Sequence, residues 1–288
     1  MEFSYNASAV AAGGVIELAT GRTVIVPSIA SVALSPSGGD GTTVVRNYYS
    51  DELSFSYAQT HVEGFRIAEN TFLTRTNVCI TNLRVLNALS IASIQATVTS
   101  TRHVSPKPDP TDDDHEFDLE ASYYGVETLG DARPCAIAPS VNVSLRNVKR
   151  YGDVSSLLAA HPKIADLFDS TEADLAKALG AKAPVLGSLV DQVEHGPSLR
   201  VHKAPGKPHK LVIPGVGVAR FGEVMLKPGR RRVNLLRIKL GEDGQKELVA
   251  ENQETLALEG PSDDETSLYS GGSMTFGSVE GNGSPLWP

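Results

Sequence analysis

The chain has 288 residues, of which 41% are hydrophobic and 21% charged, and its formal net charge is −8. These values are typical of a globular protein with one large domain or two modest ones. The acidic balance disfavours nucleic acid or an anionic membrane as the main partner. No uninterrupted apolar run reaches the length of about 18 residues that a membrane-spanning helix requires.

The first residues, Met1–Asn6, lack the basic and apolar regions of a signal peptide, so we expect a cytoplasmic protein. The two cysteines, Cys79 and Cys135, follow no metal-binding spacing. In a cytoplasmic protein they are expected to be separate buried or half-buried thiols, and a disulfide between two strands is the alternative.

Short apolar segments separated by turn residues fill the first part of the chain. The turn Ala19–Arg22 favours a hairpin, and the Gly- and Ser-rich stretch 35–41 favours a loop. The predicted strands are Val15–Leu18, Thr23–Val26, Ile29–Leu34, Thr42–Arg46 and Leu53–Ala58, with Val62–Ala68 as a further strand or a connector. This pattern predicts antiparallel sheets.

Between Thr71 and Arg102 apolar and polar residues alternate strictly, which is typical of half-buried strands. The apolar residues have even numbers around Ile80, odd numbers around Leu83 and even numbers again around Ile94. Each change of phase requires a bulge or a turn. We place these changes at Asn82 and at 87–89.

A Pro-rich acidic stretch, 103–116, follows and predicts a loop. Beyond it, Phe117–Tyr124 and Asn142–Asn147 are predicted strands. The block 151–194 has helix signals instead, namely capping residues, acidic first turns and a stop at Gly180. The predicted helices are Val154–Ala160, Lys163–Asp169, Glu172–Leu179 and Val185–Glu194.

Strand patterns return from Ser198, and beyond about Gly260 Ser, Gly and acidic residues dominate. The predicted strands here are Leu211–Ile213, Val216–Phe221, Glu223–Leu226, Arg232–Leu240 and Glu247–Ala257. The sequence therefore predicts a mainly β protein whose antiparallel sheets form a sandwich- or barrel-like arrangement. We expect one β-rich domain, 1–259, with a helical insertion at 151–194, and a flexible tail, 260–288.

Four segments carry a family resemblance. They are Ser93–Ser100, Tyr124–Gly130, Val212–Val218 and Val233–Leu240, and they follow one another in the order of strand motifs in the choice-of-anchor P proteins. The chain resembles that family over most of 1–260. The resemblance implies a β-rich module with a role at the cell surface and brings no catalytic residues with it.

The acidic cluster 112–116 offers the best candidate for a metal site. The residues Asp112, Asp114 and His115 supply the oxygen and nitrogen ligands that divalent cations bind. The cluster lacks the glycine and the ligand spacing of an EF-hand loop, so a solvated acidic loop is the favoured interpretation.

A basic stretch near the end of the chain is the other candidate site. Lys227, Arg230, Arg231 and Arg232 flank a Pro-Gly turn, which predicts a hairpin tip. Guanidinium groups pair well with carboxylates, so this patch predicts binding of a peptide or an acidic partner, with a merely solvated hairpin tip as the alternative.

No sequence motif predicts catalysis. There is no GxSxG elbow, and Gly215 and Gly217 lack the third glycine and the helix of a dinucleotide loop. We therefore expect no catalytic residues and no cofactor. The favoured hypothesis is a non-enzymatic accessory protein that binds a peptide or protein partner through its sheet edges, for example the precursor peptide of a biosynthetic enzyme.

Two other hypotheses stay open. A structural or self-assembling protein is the first, as the surface-module resemblance implies, and a homodimer is compatible with it and with the accessory role. The second is a metal-dependent enzyme built around His115 with Asp112 or Asp114. Neither hypothesis requires nucleic acid or a membrane as a partner.

Overall fold

A computed structural model describes residues 2–104, 114–129, 136–139, 143–145, 185–194, 200–201, 210–213, 216–227, 230–241 and 269–286. Within these ranges the ordered elements are β-strands joined by turns. The strands are β1 Glu2–Leu18, β2 Thr23–Ala33, β3 Gly39–Tyr49, β4 Leu53–Ala68, β5 Thr71–Val85, β6 Leu89–His103, β7 Asp114–Thr128, β8 Ala136–Pro139, β9 Val143–Leu145, β10 Val185–Ser188, β11 Val190–Glu194, β12 Arg200–Val201, β13 Lys210–Ile213, β14 Gly217–Lys227, β15 Arg230–Leu240 and β16 Tyr269–Leu286.

The strands form two large antiparallel sheets. The first sheet has eight strands in the order β12-β13-β14-β15-β16-β1-β2, with β10 pairing β14 off that path. The second has six strands in the order β3-β4-β5-β6-β7-β9, and β8 and β11 form a separate pair. The prediction of a mainly β, sandwich-like fold is confirmed.

The core lies between the two large sheets, because β1 and β16 of the first contact β5 and β6 of the second. One end is closed by stacked aromatic rings, with the Phe3 and Phe72 centroids 4.2 Å apart and Tyr5 edge-on to Phe3. Polar contacts also cross the core, since Thr76 Oγ1 donates to the carbonyl of Glu280 over 2.9 Å. Buried apolar area and these bonds hold the two layers together.

Each sheet contains a transverse line of residues with left-handed backbone. In the six-stranded sheet the line includes Asn47, Asn82 and Gly125, with φ of 53°, 53° and 60°. In the eight-stranded sheet it includes Ala30 and Gly277, with φ of 46° and 62°. The left-handed residues lie on alternate strands, and the pairing register on either side of each line is unchanged.

At these lines the buried positions of a strand change from odd-numbered to even-numbered residues, or the reverse. Side chains alternate across a strand with a period of two, yet the buried residues that flank a line are three positions apart: Phe55 and Ala58, Ile80 and Leu83, Ile91 and Ile94, Phe221 and Val224, Val233 and Leu236, Phe276 and Val279. On alternate strands a left-handed residue lies at this change, and on the strands between them the change falls at the position paired with it. A long strand thereby keeps its apolar side inward on both sides of the line.

The first predicted phase change, at Asn82, is confirmed. The second was placed in the wrong position. Leu89 and Ile91 are both buried, so the odd phase continues through the turn, and the change falls at 92–93. The turn at Leu86 and Asn87, both with positive φ, joins β5 to β6 without changing the phase.

Three other predictions need correction. The segment Val185–Glu194 is not a helix but the strands β10 and β11, because its backbone pairs with β14 and β8. The tail 260–288 is not flexible where the structure describes it, since β16 lies between β15 and β1. Asp114–Glu116 belong to β7 rather than to a loop, because they pair with the end of β6.

Several predictions fall on residues outside the described ranges. They are the helices Val154–Ala160, Lys163–Asp169 and Glu172–Leu179, the strand Glu247–Ala257 and the disulfide partner Cys135. Cys79 is a free thiol on the outer face of β5. Burial raises the pKa of that thiol, and a hydrogen bond with Ser93 opposes the rise. The extent of a single domain stays a prediction.

Buried hydroxyl groups bind the carbonyls that the line in the eight-stranded sheet exposes to the core. Tyr123 Oη donates to the carbonyl of Leu235 over 2.6 Å, and Thr60 Oγ1 donates to that of Ala30 over 2.9 Å. Burial raises the pKa of Tyr123, so this hydroxyl stays protonated and can donate. Side chains of the six-stranded sheet thus supply hydrogen-bond donors to carbonyls of the eight-stranded sheet at the positions where the pleat is reset.

We expect Tyr123→Phe to lower the free energy of unfolding by about 1–3 kcal/mol, because it leaves the buried Leu235 carbonyl without that donor. Urea denaturation measures the change. The matched control is Tyr124→Phe, at a neighbouring tyrosine that is 76% exposed, where we expect a change within about 0.5 kcal/mol. Equal effects of the two substitutions would contradict the role given to the Tyr123 hydroxyl.

Candidate functional site

The basic residues predicted as a binding site lie on one hairpin. Lys227 ends β14 and Arg230 begins β15, and these two residues are paired across the hairpin. Arg231 pairs with Leu226, and Arg232 pairs with Met225. The side chains of Lys227, Arg230 and Arg231 lie outside what the structure describes, so their binding role stays a prediction.

Arg232 is engaged by its own chain. Its Nε and Nη2 donate to Glu280 Oε2 over 3.2 and 3.0 Å. Glu280 lies on β16, a strand that the sequence prediction assigned to the tail. Two donors of this guanidinium are therefore used within the fold, and binding of an external acidic partner by Arg232 stays a prediction.

The predicted metal ligands do not form a described site. Asp112 lies outside the described residues, and only the backbone of Asp114 and His115 is described, where they pair with His103 and Arg102. Among the residues that the structure describes, no three His, Cys, Asp or Glu side chains are close enough together to hold a metal ion. The metal site stays a prediction.

The strand β3 has a backbone edge that no other described strand pairs. This strand has 11 residues and forms the end of the six-stranded sheet, where it pairs only with β4 among the described strands. Side chains on its outer face, Asp40, Thr42, Val44 and Arg46, are exposed, whereas Thr43 and Val45 are half-buried. An unpaired strand edge presents alternating N–H and C=O groups to any extended chain beside it.

The neighbouring edge strand β2 is less available. It contains Pro27, which has no N–H to donate to an added strand. The carbonyl of Ser31 accepts a hydrogen bond from Thr43 Oγ1 over 3.1 Å, and that of Ala30 accepts one from Thr60. These contacts join the two layers along this side of the sandwich. They use carbonyls of β2 but only a side-chain hydroxyl of β3, so they occupy no main-chain group of β3.

A polar network holds the outer face next to β3. The hydroxyl of Thr42 and Nδ1 of His61 are 2.8 Å apart, and His61 Nε2 is 3.7 Å from Glu63 Oε2. Arg75 Nη1 donates to Glu63 Oε1 over 2.7 Å. Arg46 lies over the ring of Tyr57, with Cζ 5.9 Å from its centroid. These contacts link the outer faces of β3, β4 and β5 through their side chains. They involve no main-chain group on the outer edge of β3.

A second polar cluster lies on the eight-stranded sheet and includes Glu223, Asn234 and Arg237. The Arg237 guanidinium donates from Nε and Nη2 to the two Glu223 oxygens over 2.9 and 2.6 Å, and Asn234 Nδ2 donates to Oε2 over 3.1 Å. Burial opposes ionisation of Glu223, but the hydrogen bonds and charge of Arg237 and the bond from Asn234 outweigh it and hold the pKa of that carboxyl below its usual value. A carboxylate fixed in this way stays ionised at neutral pH and is a poor general acid, so its contacts indicate a structural role.

The described residues form an antiparallel β-sandwich in which β3 is an 11-residue strand at the end of one sheet. A family described as a domain of unknown function (DUF8256) matches residues 3–111, which include β1 except for Glu2 and the whole of β2 to β6. No curated protein and no solved structure gives a significant match. The choice-of-anchor P resemblance stays a prediction, since the matching family carries no such description. None of the described segments forms a helix with the length and hydrophobicity that crossing a membrane requires.

Sequence reasoning identified the strand Thr42–Arg46 but not its position at the edge of a sheet. Its short polar and β-branched sequence is compatible with a central or an edge strand. The exposed alternation of Thr42, Val44 and Arg46 gave a weak signal, because strands that are buried on both faces are more continuously apolar.

Proposed function

We propose that this protein is a non-enzymatic binding protein that takes up an extended segment of a partner as an added strand on β3. The observation that supports the proposal is the open edge of that 11-residue strand, which pairs with no other described strand than β4 and contains neither proline nor lysine. Main-chain hydrogen bonds supply affinity in this mode of recognition, and alternate side chains supply selectivity.

The segment Gly39–Arg46 is the part of β3 suited to docking. The ladder with β4 runs without a register shift from Gly39 to Arg46, and the left-handed Asn47 then interrupts the regular backbone. At about 3.4 Å per residue this segment offers about 27 Å of edge. A partner segment of about eight extended residues matches it.

The proposal also includes the kind of partner and the location. The partner is a peptide or protein, either a biosynthetic precursor or another extended chain, and no cofactor is needed. A cytoplasmic location belongs to this proposal, and a cell-surface location belongs to the structural alternative. Binding of an acidic partner by Lys227, Arg230 and Arg231 is a further part of the proposal.

Proline substitution at two successive positions of β3 tests the proposal. Successive residues direct their N–H groups alternately to β4 and away from it. Of Val44→Pro and Val45→Pro, one therefore removes a bond to β4 and lowers the melting temperature, and the other removes an outward donor at little cost in stability. We expect the second variant to lose peptide capture by at least about tenfold, as loss of one main-chain bond and steric exclusion along the edge predict.

The readout is binding of the purified protein to an array of eight-residue peptides of high β-propensity. Val44→Ala and Val45→Ala are the matched controls, since they shorten the side chains and keep both N–H groups. We expect Val44→Ala to bind like the parent protein, because Val44 is 40% exposed. If the stable proline variant captures the same peptides with the same affinity, or if the parent protein neither captures a peptide nor associates with another chain through β3, the proposal is wrong.

A further inference from the structure

We propose that the strand added to β3 is β3 of a second copy of this chain, so that two molecules form a symmetric dimer with a continuous sheet. This inference rests on the proposed use of the β3 edge and names the partner. The two strands would run antiparallel, with a two-fold axis that passes between Thr43 of one copy and Thr43 of the other. A two-fold interface of this kind uses the same surface of both molecules.

The charges of β3 are arranged for self-pairing. Asp40 and Arg46 lie on the same outer face, on opposite sides of Thr43 and equally distant from it in sequence. With Thr43 on the axis, Asp40 of each copy lies opposite Arg46 of the other, and Thr42 lies opposite Val44. Opposite charges and β-branched residues are favourable cross-strand pairs in antiparallel sheets.

The environment of Asp40 within its own molecule supports this pairing. Its neighbour across the β3–β4 ladder is Glu63, and like charges directly opposite each other are unfavourable. Glu63 itself is paired with Arg75 over 2.7 Å. Among the described residues no cation forms an ion pair with Asp40, so Arg46 of a second copy would supply the missing positive charge.

Other registers lose this complementarity. A shift of two residues in one direction places Asp40 opposite Val44, and a shift in the other direction places Arg46 opposite Thr42. A shift of one residue would set the outer face of one copy against the inner face of the other. The left-handed Asn47 ends the regular edge next to Arg46, so extension of the pairing beyond that point is disfavoured.

Charge reversal tests the inference by sedimentation equilibrium of the full chain. We expect the parent protein to show a monomer–dimer equilibrium that weakens with added salt, since these charges are exposed. Asp40→Arg alone places two arginines opposite each other at both ends of the interface, and Arg46→Asp alone does the same with carboxylates. Each single variant should raise the dimer dissociation constant by at least about tenfold.

The decisive measurement is whether combining the two charge reversals restores dimer formation. An equimolar mixture of Asp40→Arg and Arg46→Asp should form a heterodimer with near-parental affinity, because each Arg then meets an Asp. The double variant Asp40→Arg/Arg46→Asp should dimerise with itself for the same reason. As a control for net charge, Asp51→Arg alters an exposed residue outside β3 and should leave the equilibrium unchanged.

Failure of this inference is distinguishable from failure of the proposed function. A parent protein that stays monomeric at all concentrations yet captures peptides through β3 would overturn the dimer and leave the proposed function intact. A dimer indifferent to both single reversals, or a mixture that stays monomeric, would overturn the pairing of Asp40 with Arg46. A protein that neither dimerises nor captures peptides would overturn both.

Discussion

Arg237→Ala is expected to lower the free energy of unfolding by about 3–5 kcal/mol, because it removes both guanidinium bonds from a carboxylate that stays buried. The Glu223 side chain is only 6% exposed, so solvent cannot replace the lost partner. Asn234 still donates one hydrogen bond to Glu223, which places the expected loss at the lower end of that range. Equilibrium denaturation in urea measures it.

A surface ion pair of nearly equal length is the matched control. Arg75 and Glu63 are 2.7 Å apart, against 2.6 Å for Arg237 and Glu223, but the Arg75 side chain is 45% exposed. We expect Arg75→Ala to cost no more than about 1 kcal/mol, as for other exposed pairs. If the two substitutions cost the same, burial is not what makes the Glu223 pair important.

The same pair predicts a pH dependence with a definite sign. The pKa of Glu223 is held below its ordinary value of 4.5 in the folded protein. Its contribution is therefore complete above the unfolded pKa and is lost as the pH falls below about 4.5 and through the folded pKa. Glu223→Gln should remove this part of the acid destabilisation, and melting temperatures between pH 3 and 7 measure the difference.

The local pattern of the chain predicted most of the strands but not the order in which they assemble. The alternation at Val78, Ile80, Ile94 and Val98 is visible in the sequence because each strand buries one face. The order of the strands depends on contacts between distant residues, such as the bond from Thr76 to Glu280. No local pattern records such contacts.

The last strand shows how composition can mislead. β16 is rich in Gly and Ser, and that composition is typical of a flexible segment. It is nevertheless paired on both sides, with β15 and β1, and buries Met274, Phe276 and Val279. Those three apolar residues are spaced by two and then three positions, so the change of phase at Gly277 concealed the strand periodicity.

The candidate site was only partly predictable for a similar reason. The pairing of Arg232 with Glu280 joins residues 48 positions apart, and it became apparent only with the place of β16 in the sheet. The open edge of β3 depends on the same topology. The pattern at Thr42–Arg46 predicted the strand, whereas only the fold shows that β3 ends its sheet. Recognition through that edge stays a proposal.

Gly277→Ala is the second substitution with a large expected effect, at about 2–5 kcal/mol. Gly277 has a φ of 62°, a left-handed conformation that costs a residue with a Cβ about 1–2 kcal/mol. An added Cβ would also lie 2.5 Å from Leu235 Cδ1 and 2.9 Å from its Cβ, and overpacking of this kind costs about 1–3 kcal/mol. Leu235 is fully buried and has little room to move.

Gly281→Ala, on the same strand, separates this effect from the general cost of changing a glycine. A Cβ at Gly281 would have its nearest contact at 3.4 Å, with Val98 Cγ1, which is an ordinary packing distance. We expect that substitution to change stability by no more than about 1 kcal/mol, in either direction. If Gly277→Ala proves equally mild, the left-handed line across the sheet is not required to reset the pleat, and the account of how the long strands keep their apolar face inward is wrong.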